Sequence, residues 1–348
     1  MERWKRGAIA AAFPGAVFAE DAAQGLARAR EAGGALAVWA TRAPPGLGDA
    51  AEAAGVPLLW VEDGFLRSVG LGVDFVTAAS LCVDPVAPHY DPSRPTALER
   101  LLATHPFDGA LLARAAALRA RIAALGLTKY NLRRPAPRLP PSPGRRRILV
   151  PGQVTDDASL RLGGRGMDNL ALLAAVRAAN PGAFIAYRPH PDVETGYRRG
   201  FAPRRALLRH ADVVVAGGDI AGLYAQVDEV HTLTSLAGFE ALLRGLPVTT
   251  HGQPFYAGWG LTSDLAPPPR RSRRLSLDAL VAGALILYPR YTDPVTGAPC
   301  EVEALLDRLA APGAWPPLPP ARRLYARLWW RPQGWLLKQA RRLGLWRR

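Results

Sequence analysis

The sequence predicts an α/β protein with two domains that face each other across a cleft. Short apolar runs alternate with stretches in which apolar residues recur at helical spacing, a rhythm typical of strands and crossover helices in a parallel sheet. A Pro-rich, basic stretch at 133–147 interrupts this rhythm, which then starts again, and it reads as an exposed linker. The 348 residues are 49% hydrophobic, enough to give each half a core.

In the N-terminal half, residues 1–132, strands are predicted at "ALAVWA" (35–40) and "VPLLWVE" (56–62). The stretch "EDAAQGLARAREAG" (20–33) between turns has the apolar spacing of a helix. With a first strand in the opening residues, these elements follow the strand–helix–strand order of a parallel sheet.

The first 21 residues resemble a secretory signal, with a basic start, an apolar middle and small residues near Ala19. Pro14 and Gly15 interrupt the apolar part, so the favoured interpretation is a first strand and its turn. No run in the chain reaches the roughly 18 apolar residues that a bilayer-spanning helix needs.

The C-terminal half, residues 148–315, repeats the pattern with a capped helix at 168–180, where Asp168 is the predicted N-cap. Residues 228–252 read as strand, loop, helix and strand. Further strands are predicted at 148–152, 183–189 and 211–217.

Ligands of open parallel sheets bind beyond the carboxyl ends of the strands, so polar residues that follow strands are the candidates for a site. Glu62 and Asp63 follow the apolar "PLLWV", and one of these carboxylates is a candidate general acid or base. The alternative is a loop with ordinary solvated acids and Arg67 nearby.

A second group follows the strand at 148–152: Gln153, Asp156, Asp157 and Ser159 crowd one loop. A carboxylate there is a candidate nucleophile or base. The alternative, favoured by spacing alone, is that Asp156 or Asp157 caps the turn into "ASLRL".

A third group is "YRPHPD" (187–192), where prolines on both sides restrict the backbone of His190. With Arg188 beside it, the imidazole suits a phosphate or a carboxylate, although a lone histidine is often structural.

A fourth group is "HTLTSLAGFEALLRG" (231–245). Ser235 is a candidate cap of a helix whose free N–H groups suit a phosphate, with Gly238 in its first turn. Glu240 is a candidate acceptor of hydrogen bonds from ribose hydroxyls, and the alternative is a plain capped helix. The glycine- and aromatic-rich loop at 251–262 either walls a binding site or packs on the domain.

The cysteines and histidines predict neither a metal site nor a cofactor. Cys82 and Cys300 are isolated, which fits a reducing compartment, and the six histidines form no metal-binding pattern.

The C-terminal segment 321–348 carries eight Arg, one Lys and no acid, a charge of +9, and four Trp. Pro332 and Gly334 predict a break into two short amphipathic helices. This composition predicts a helix at an anionic membrane surface. The alternative partner is RNA, which is disfavoured because the sequence has no RNA-binding motif. A further alternative is that the segment packs against the first domain.

The motifs combine into a pattern that resembles the β-Kdo glycosyltransferases of bacterial capsule polysaccharide biosynthesis. They are "VEDGFLRSVGLG", "LVPGQVTDDASL", "YRPHPDVETGYR", "TLTSLAGFEALLRGLPVTTHGQPFYAGWGLT" and "YTDP", in the family's order over about 55–310. The resemblance is to one transferase module, closest to the C-terminal module of the tandem enzymes.

The resemblance implies a retaining transferase with two Rossmann-like domains in a GT-B-like arrangement. It implies transfer of 3-deoxy-D-manno-oct-2-ulosonic acid (Kdo) from CMP-Kdo, without a cofactor, to a lyso-phosphatidylglycerol-linked Kdo acceptor. The expected location is cytoplasmic, peripheral to the inner membrane, beside other capsule-assembly proteins and without nucleic acid.

The resemblance also implies roles for individual residues. Asp157, rather than Asp156, matches the nucleophile, Glu62 the acid/base, and His190 the donor-contacting His-Pro motif. The remaining matches are donor-binding positions: Gln153, Ser159, Arg188, Ser235, Gly238 and Glu240.

The chain departs from the family pattern in three ways. Position 188 is Arg where Lys is expected more often, and residues 1–55 carry no family motif. A lone module is expected to add a single Kdo or to work beside a separate partner. A transferase that uses another CMP-sugar, and a non-catalytic scaffold that binds a membrane or RNA, are the alternatives.

Overall fold

A computed structural model describes residues 5–342 except 133, 199 and 312. Its β-strands are β1 Leu36–Trp39, β2 Leu58–Asp63, β3 Ser80–Asp84, β4 Arg147–Pro151, β5 Phe184–Arg188, β6 Val213–Val214, β7 Glu229–Thr232, β8 Val248–Thr250, β9 Ser263–Asp264, β10 Pro289–Thr292 and β11 Pro299–Cys300. Its α-helices are α1 Arg6–Ala12, α2 Ala22–Glu31, α3 Leu47–Ala53, α4 Ala97–Thr104, α5 Gly109–Ala124, α6 Ala158–Gly163, α7 Asn169–Ala179, α8 Pro191–Glu194, α9 Arg204–Leu207, α10 Ala221–Tyr224, α11 Leu236–Leu242, α12 Leu277–Val281, α13 Val302–Ala310, α14 Pro320–Tyr325 and α15 Arg331–Arg342. Short 3₁₀ turns lie at Ala40–Arg42 and Gly72–Asp74, and π-helical turns at Ala282–Leu287 and Ala326–Trp330.

The C-terminal sheet has six strands in the order β6-β5-β4-β7-β8-β9, all parallel. Its central strand β4 is covered on both faces: Ile148, Leu149 and Val150 are fully buried, as expected for an apolar run in a parallel sheet. The carboxyl ends of β4, β5, β7 and β8 therefore lie along one edge. The predicted cap of α7 is confirmed, because the Asp168 carboxylate accepts the Ala171 N–H at 2.8 Å.

The first sheet is mixed, in the order β1-β2-β3-β10-β11, and only β1 and β2 pair in parallel. The two strands predicted in the N-terminal half, β1 and β2, do pair in parallel with a helix between them, but the rest of the sheet that contains them is antiparallel. The chain between β2 and β3 makes a 3₁₀ turn at Gly72–Asp74 but no α-helix, so it lacks the usual crossover element and β3 returns antiparallel to β2.

The chain returns to this first sheet after completing the second one. Tyr291 of β10 pairs with Ser80 of β3, and a single hydrophobic cluster contains Cys82 of β3 together with Val230 of β7. The two sheets share a core. Residues 133–147 do not separate one sheet from the other along the chain, because β10 and β11 come after this segment and belong to the first sheet. The α/β class is confirmed, while two Rossmann-like domains with bounds 1–132 and 148–315 stay a prediction.

The start of the chain forms a helix, α1, where a first strand was expected. Its sequence, "RGAIAAA", is rich in alanine, the strongest helix former. Ile9 is buried in a small cluster with Trp39, Val61 and Leu81, which fixes the helix on the first sheet.

The expected break at Pro332 and Gly334 is also absent, since α15 runs through both. Pro332 is the second residue of α15, which follows the π-helical turn Ala326–Trp330 without a gap, so its missing N–H falls next to a point where the α-helical hydrogen-bond pattern is already interrupted. Gly334 lies against Tyr197, where a Cβ atom would stand 2.6 Å from the ring. Among the described residues, no helix combines the length and the apolar content that crossing a membrane requires.

Candidate functional site

A cleft of about 980 Å³ opens beyond the strand ends of the C-terminal sheet and reaches the end of β2. It is lined by all the predicted site residues except Gly238, and Glu62 and Asp157 both face it. Gly238 lies behind the wall, where a Cβ atom would be 2.2 Å from the Tyr256 hydroxyl oxygen. The structure thus brings the candidates together, while their chemical roles stay predictions.

Glu62 lies at the end of β2 with one carboxylate oxygen anchored. Its Oε1 accepts the Thr41 N–H at 3.0 Å and the Tyr90 hydroxyl at 3.3 Å. Burial, and then the charge of Asp63, raise the pKa of Glu62 to about 7. This carboxyl group can therefore gain or lose a proton near neutral pH.

The adjacent Asp63 behaves in the opposite way. Its carboxylate pairs with Arg67 at 2.8 Å. Burial alone would raise the pKa of Asp63, but Arg67 and Lys129 outweigh that effect and lower it. Two neighbouring carboxyls with opposite pKa shifts are the arrangement that general acid–base chemistry uses, and Glu62 is the member able to exchange a proton.

Asp157 caps α6, as spacing alone favoured. One of its oxygens accepts the Ser159 N–H at 3.0 Å, so only one oxygen is needed by the cap. Asp156 pairs with Arg198 at 3.3 Å, and both of these side chains are nearly half exposed. Both aspartates line the cleft, but only Asp157 is fixed by the helix that follows it.

Gln153 and Ser159 belong to a network that ties two loops together. The Gln153 amide donates to Thr234 Oγ1 and accepts from the Thr234 N–H, both at 2.9 Å. Thr234 Oγ1 also donates to Ser159 Oγ at 3.3 Å. These bonds join the loop after β4 to the loop after β7, so Gln153 positions the loops; its predicted contact with the donor remains a prediction.

His190 is held as a neutral, oriented imidazole. Its Nδ1 accepts the Asp192 N–H at 3.1 Å and so caps α8. Burial lowers the pKa of His190, although Asp192 and Asp157 act against this. Because Nδ1 is an acceptor, the ring proton is assigned to Nε2, which is a donor for a ligand.

Arg188 lies buried at the end of β5 and is already engaged. Its Nη1 pairs with the Glu194 carboxylate at 3.0 Å, and Nη2 donates to the Gly218 carbonyl at 3.2 Å. Its buried Nε has no hydrogen-bond partner among the described residues. The predicted phosphate contact would thus be made by a guanidinium whose charge is shared with Glu194.

The predicted cap of α11 is confirmed, since Ser235 Oγ accepts the Ala237 N–H at 3.2 Å. Glu240, one turn on, accepts the Lys129 N–H at 2.7 Å and the Tyr224 hydroxyl at 2.9 Å. Burial raises the pKa of Glu240. Both carboxylate oxygens of Glu240 thus already accept hydrogen bonds from the protein. The predicted contact with the ribose hydroxyls stays a prediction.

Several residues that line the cleft were missed by sequence reasoning, among them Tyr90, Lys129 and Thr234. Thr234 had a local signal, because it stands beside Ser235 after a strand. Tyr90 and Lys129 come from non-regular stretches whose place in the cleft depends on long-range packing. Among the described residues, no group of three His, Cys, Asp or Glu side chains is arranged to hold a metal ion.

The C-terminal segment supplies an aromatic wall to the same cleft. Trp330 stacks on Tyr197 with ring centroids 4.1 Å apart and lies 5.2 Å from the Phe75 ring. Tyr325 also lines the cleft. The segment thus packs against residues before β3 and after α8, which agrees with the alternative that it folds back on the protein.

Comparison with known proteins shows that this chain is similar to capsule proteins. A family model described as "Capsule polysaccharide biosynthesis protein" matches residues 138–291. The solved beta Kdo 2,7 transferase of Thermosulfurimonas dismutans KpsC is 35% identical with a TM-score of 0.71, over 89% of this chain and 96% of that one. The beta Kdo 2,4 transferase of the same KpsC is 35% identical with a TM-score of 0.71, over 79% and 86%.

Two curated relatives are more similar in sequence but longer. The lipopolysaccharide-processing protein LpsZ of Rhizobium meliloti is 46% identical over 258 residues, which are 72% of this chain and 58% of LpsZ. The capsule polysaccharide modification protein LipA of Neisseria meningitidis (strain Z2491) is 47% identical over 237 residues, 68% of this chain and 34% of LipA. The chain therefore spans less than two thirds of the length of these relatives.

Proposed function

The chain belongs to the family of capsule polysaccharide β-Kdo glycosyltransferases, and on that premise we propose that it transfers Kdo from CMP-Kdo to a Kdo-ended glycolipid with retention of configuration. The observation that carries this proposal is the pair Glu62 and Asp157 in one cleft, with the pKa of Glu62 near 7. In this proposal the first sheet lies on the acceptor side and the second sheet on the donor side of a GT-B-like enzyme.

Retention follows from two successive displacements at the anomeric carbon of Kdo. In the first, an Asp157 oxygen bonds to that carbon, and its bond to the phosphate oxygen breaks with the electron pair going to CMP. CMP is a stable anion and needs no proton to leave. In the second, the acceptor hydroxyl bonds to the same carbon, Glu62 takes the hydroxyl proton, and the ester bond to Asp157 breaks.

The donor side of the cleft suits an anionic nucleotide. His190 offers an Nε2–H toward the cleft, and Ser235 opens the helix α11, whose first N–H groups carry partial positive charge. Together with Arg188, these groups are proposed to bind the CMP phosphate. No metal ion is required by this scheme, since the charge is met by protein donors.

The acceptor is proposed to reach the cleft from an anionic membrane surface. The C-terminal segment exposes Leu324, Leu328, Trp329, Trp335 and Leu336, each more than half exposed, beside basic residues and no acids. Large apolar side chains flanked by arginines are the composition of an interfacial helix. This supports a cytoplasmic protein bound to the inner membrane beside other capsule-assembly proteins.

The test is a transfer assay with purified protein, CMP-Kdo and a synthetic acceptor that ends in Kdo. We expect CMP release and a product one Kdo heavier by mass spectrometry, with a β linkage by NMR. Asp157→Asn is expected to abolish transfer while CMP still binds by calorimetry.

Each other outcome has a defined meaning. Turnover with CMP-sialic acid but not with CMP-Kdo would identify a different donor sugar. No turnover of any CMP-sugar would favour a non-catalytic scaffold. Normal turnover by Asp157→Asn would place the nucleophile elsewhere.

A further inference from the structure

Lys129 stands on a backbone segment that is fixed from two sides. Its N–H donates to the Glu240 carboxylate of α11 at 2.7 Å. Its carbonyl accepts the backbone N–H groups of Arg67 and Ser68 at 3.1 and 3.2 Å. The segment therefore ties the loop after β2, which follows Glu62, to the helix on the donor side of the cleft.

The ammonium group of Lys129 lines the cleft without a close carboxylate. In the part of the chain that the structure describes, Lys129 forms no ion pair within 4.0 Å, and its Nζ lies 5.5 Å from the centroid of the Tyr130 ring. Burial alone would lower the pKa of Lys129, but Tyr130, Asp63 and Asp157 raise it, so the group is charged at neutral pH.

The buried arginines of the cleft are in a different position. Arg67 pairs with Asp63 at 2.8 Å and Arg188 with Glu194 at 3.0 Å. Each of these cations already has a partner carboxylate. Lys129 is only half-buried and has no carboxylate at contact distance among the described residues, so its charge is open to an anion that enters the cleft.

We propose that Lys129 binds the carboxylate that the donor sugar carries on its anomeric carbon, an inference that rests on the proposed function. The nucleophilic carboxylate of Asp157 and the sugar carboxylate must approach the same carbon, and two like charges at that distance repel. A cation held between them offsets this repulsion. Lys129 then selects 2-keto acid sugars over sugars that lack the acid group.

The test compares two ligands that differ by the sugar: CMP, which lacks the carboxylate, and CMP-Kdo, which has it. Lys129→Met is expected to lower kcat/KM for CMP-Kdo by about 10- to 100-fold, the effect of removing one charge-assisted contact. The Kd of CMP by calorimetry is expected to stay unchanged, and Lys129→Arg should restore part of the activity. Arg209→Met, which removes the same charge at an exposed position outside the cleft lining, is the matched control.

Three results would overturn the assignment. Unchanged kcat/KM in Lys129→Met would show that the charge is not used. An equal loss of affinity for CMP and of kcat/KM for CMP-Kdo would mean that Lys129 contacts the nucleotide or supports the fold. If Lys129→Met does not fold, the same comparison is made with Lys129→Gln and Lys129→Arg. A wild-type protein that does not turn over CMP-Kdo would instead reject the proposed function, and the assignment with it.

Discussion

At the scale of single residues, Glu62 and Asp63 show how neighbours decide the chemistry of identical groups. Both carboxyls are partly buried at the end of β2, and Asp63 has Arg67 at 2.8 Å. Glu62 instead accepts hydrogen bonds from two uncharged groups, the Thr41 N–H and the Tyr90 hydroxyl. Burial therefore dominates for Glu62 and charge pairing for Asp63. Their sequence positions gave no reason to separate them in this way.

This difference predicts opposite effects on stability. The pKa of Glu62 is raised from 4.5 to about 7, so the folded protein keeps a proton that the unfolded chain releases above pH 4.5. Its unfavourable contribution grows as pH rises from 4.5 and is complete above pH 7. Glu62→Gln should therefore leave the free energy of unfolding unchanged at pH 4.5 and raise it by about 1–3 kcal/mol at pH 8.

The matched control for this prediction is Asp63→Asn. The pKa of Asp63 is lowered by Arg67, so its stabilising contribution is present above its unfolded pKa and is lost as pH falls. Asp63→Asn should destabilise the protein at pH 8. Denaturant titrations at the two pH values measure both variants, and a Glu62→Gln effect that is equal at pH 4.5 and pH 8 would contradict the raised pKa.

The same residue predicts the pH dependence of turnover. If Glu62 takes the acceptor proton, kcat/KM for the acceptor should rise with pH through about 7 and then level off. In Glu62→Gln this rising limb should disappear and the rate should fall by about 10²- to 10⁴-fold, the usual contribution of a general base. A rising limb that survives in the variant would assign it to another group.

Some features of the site were readable from the sequence and others were not. Local signals predicted the caps made by Asp168, Ser235 and, as one of two candidates, Asp157, because a cap involves residues two or three positions apart. The bonds between Gln153 and Thr234 depend on where two loops meet in space, which spacing does not encode.

At the scale of elements, α11 shows why a predicted ligand-binding glycine has a packing role. Gly238 lets α11 approach Tyr256, whose hydroxyl donates to the Ser235 carbonyl at 2.5 Å and is fully buried. A methyl group at position 238 would stand 2.2 Å from that hydroxyl oxygen. The helix start that carries Ser235 is therefore fixed from behind by an aromatic side chain.

This packing predicts a loss of stability for Gly238→Ala of about 1–3 kcal/mol, the usual cost of overpacking a core. Gly48→Ala is the matched control, because Gly48 also lies near a helix start but a Cβ atom added there would meet no atom within 4 Å. That change should be neutral or stabilising by up to about 1 kcal/mol. Thermal unfolding measures both, and equal effects would show that contact with Tyr256 does not matter.

The two sheets show where element-level prediction succeeds and fails. Strands β4 and β5 are mainly apolar runs, helices lie between β4, β5 and β7, and these three strands form the parallel sheet that this order predicts. The chain before β3 has no such helix, and β10 comes from far along the sequence. Neither periodicity nor turn signals specify which distant strand completes a sheet edge.

At the scale of the whole molecule, the C-terminal segment is predicted to line the cleft with one side and to bind the membrane with the other. Trp330 stacks on Tyr197, while Trp329, Trp335 and Leu336 are each nearly three-fifths exposed. Deleting the segment would therefore remove cleft-lining aromatic residues together with the proposed membrane contact, and would not separate the two.

Point substitutions separate the two sides of the segment. Replacing Trp329, Trp335 and Leu336 together by Glu should weaken binding to vesicles that contain anionic lipid by about 100-fold or more at ~0.15 M salt, because three apolar insertions are lost and negative charge is added. Co-sedimentation with the vesicles measures this, and an unchanged melting temperature shows that the fold is intact. Leu265→Glu, at another exposed apolar side chain, is the matched control and should bind as the wild type does. Continued binding of the triple variant would show that these exposed apolar side chains are not the membrane contact. The basic charge of the segment or another surface would then bind the vesicles.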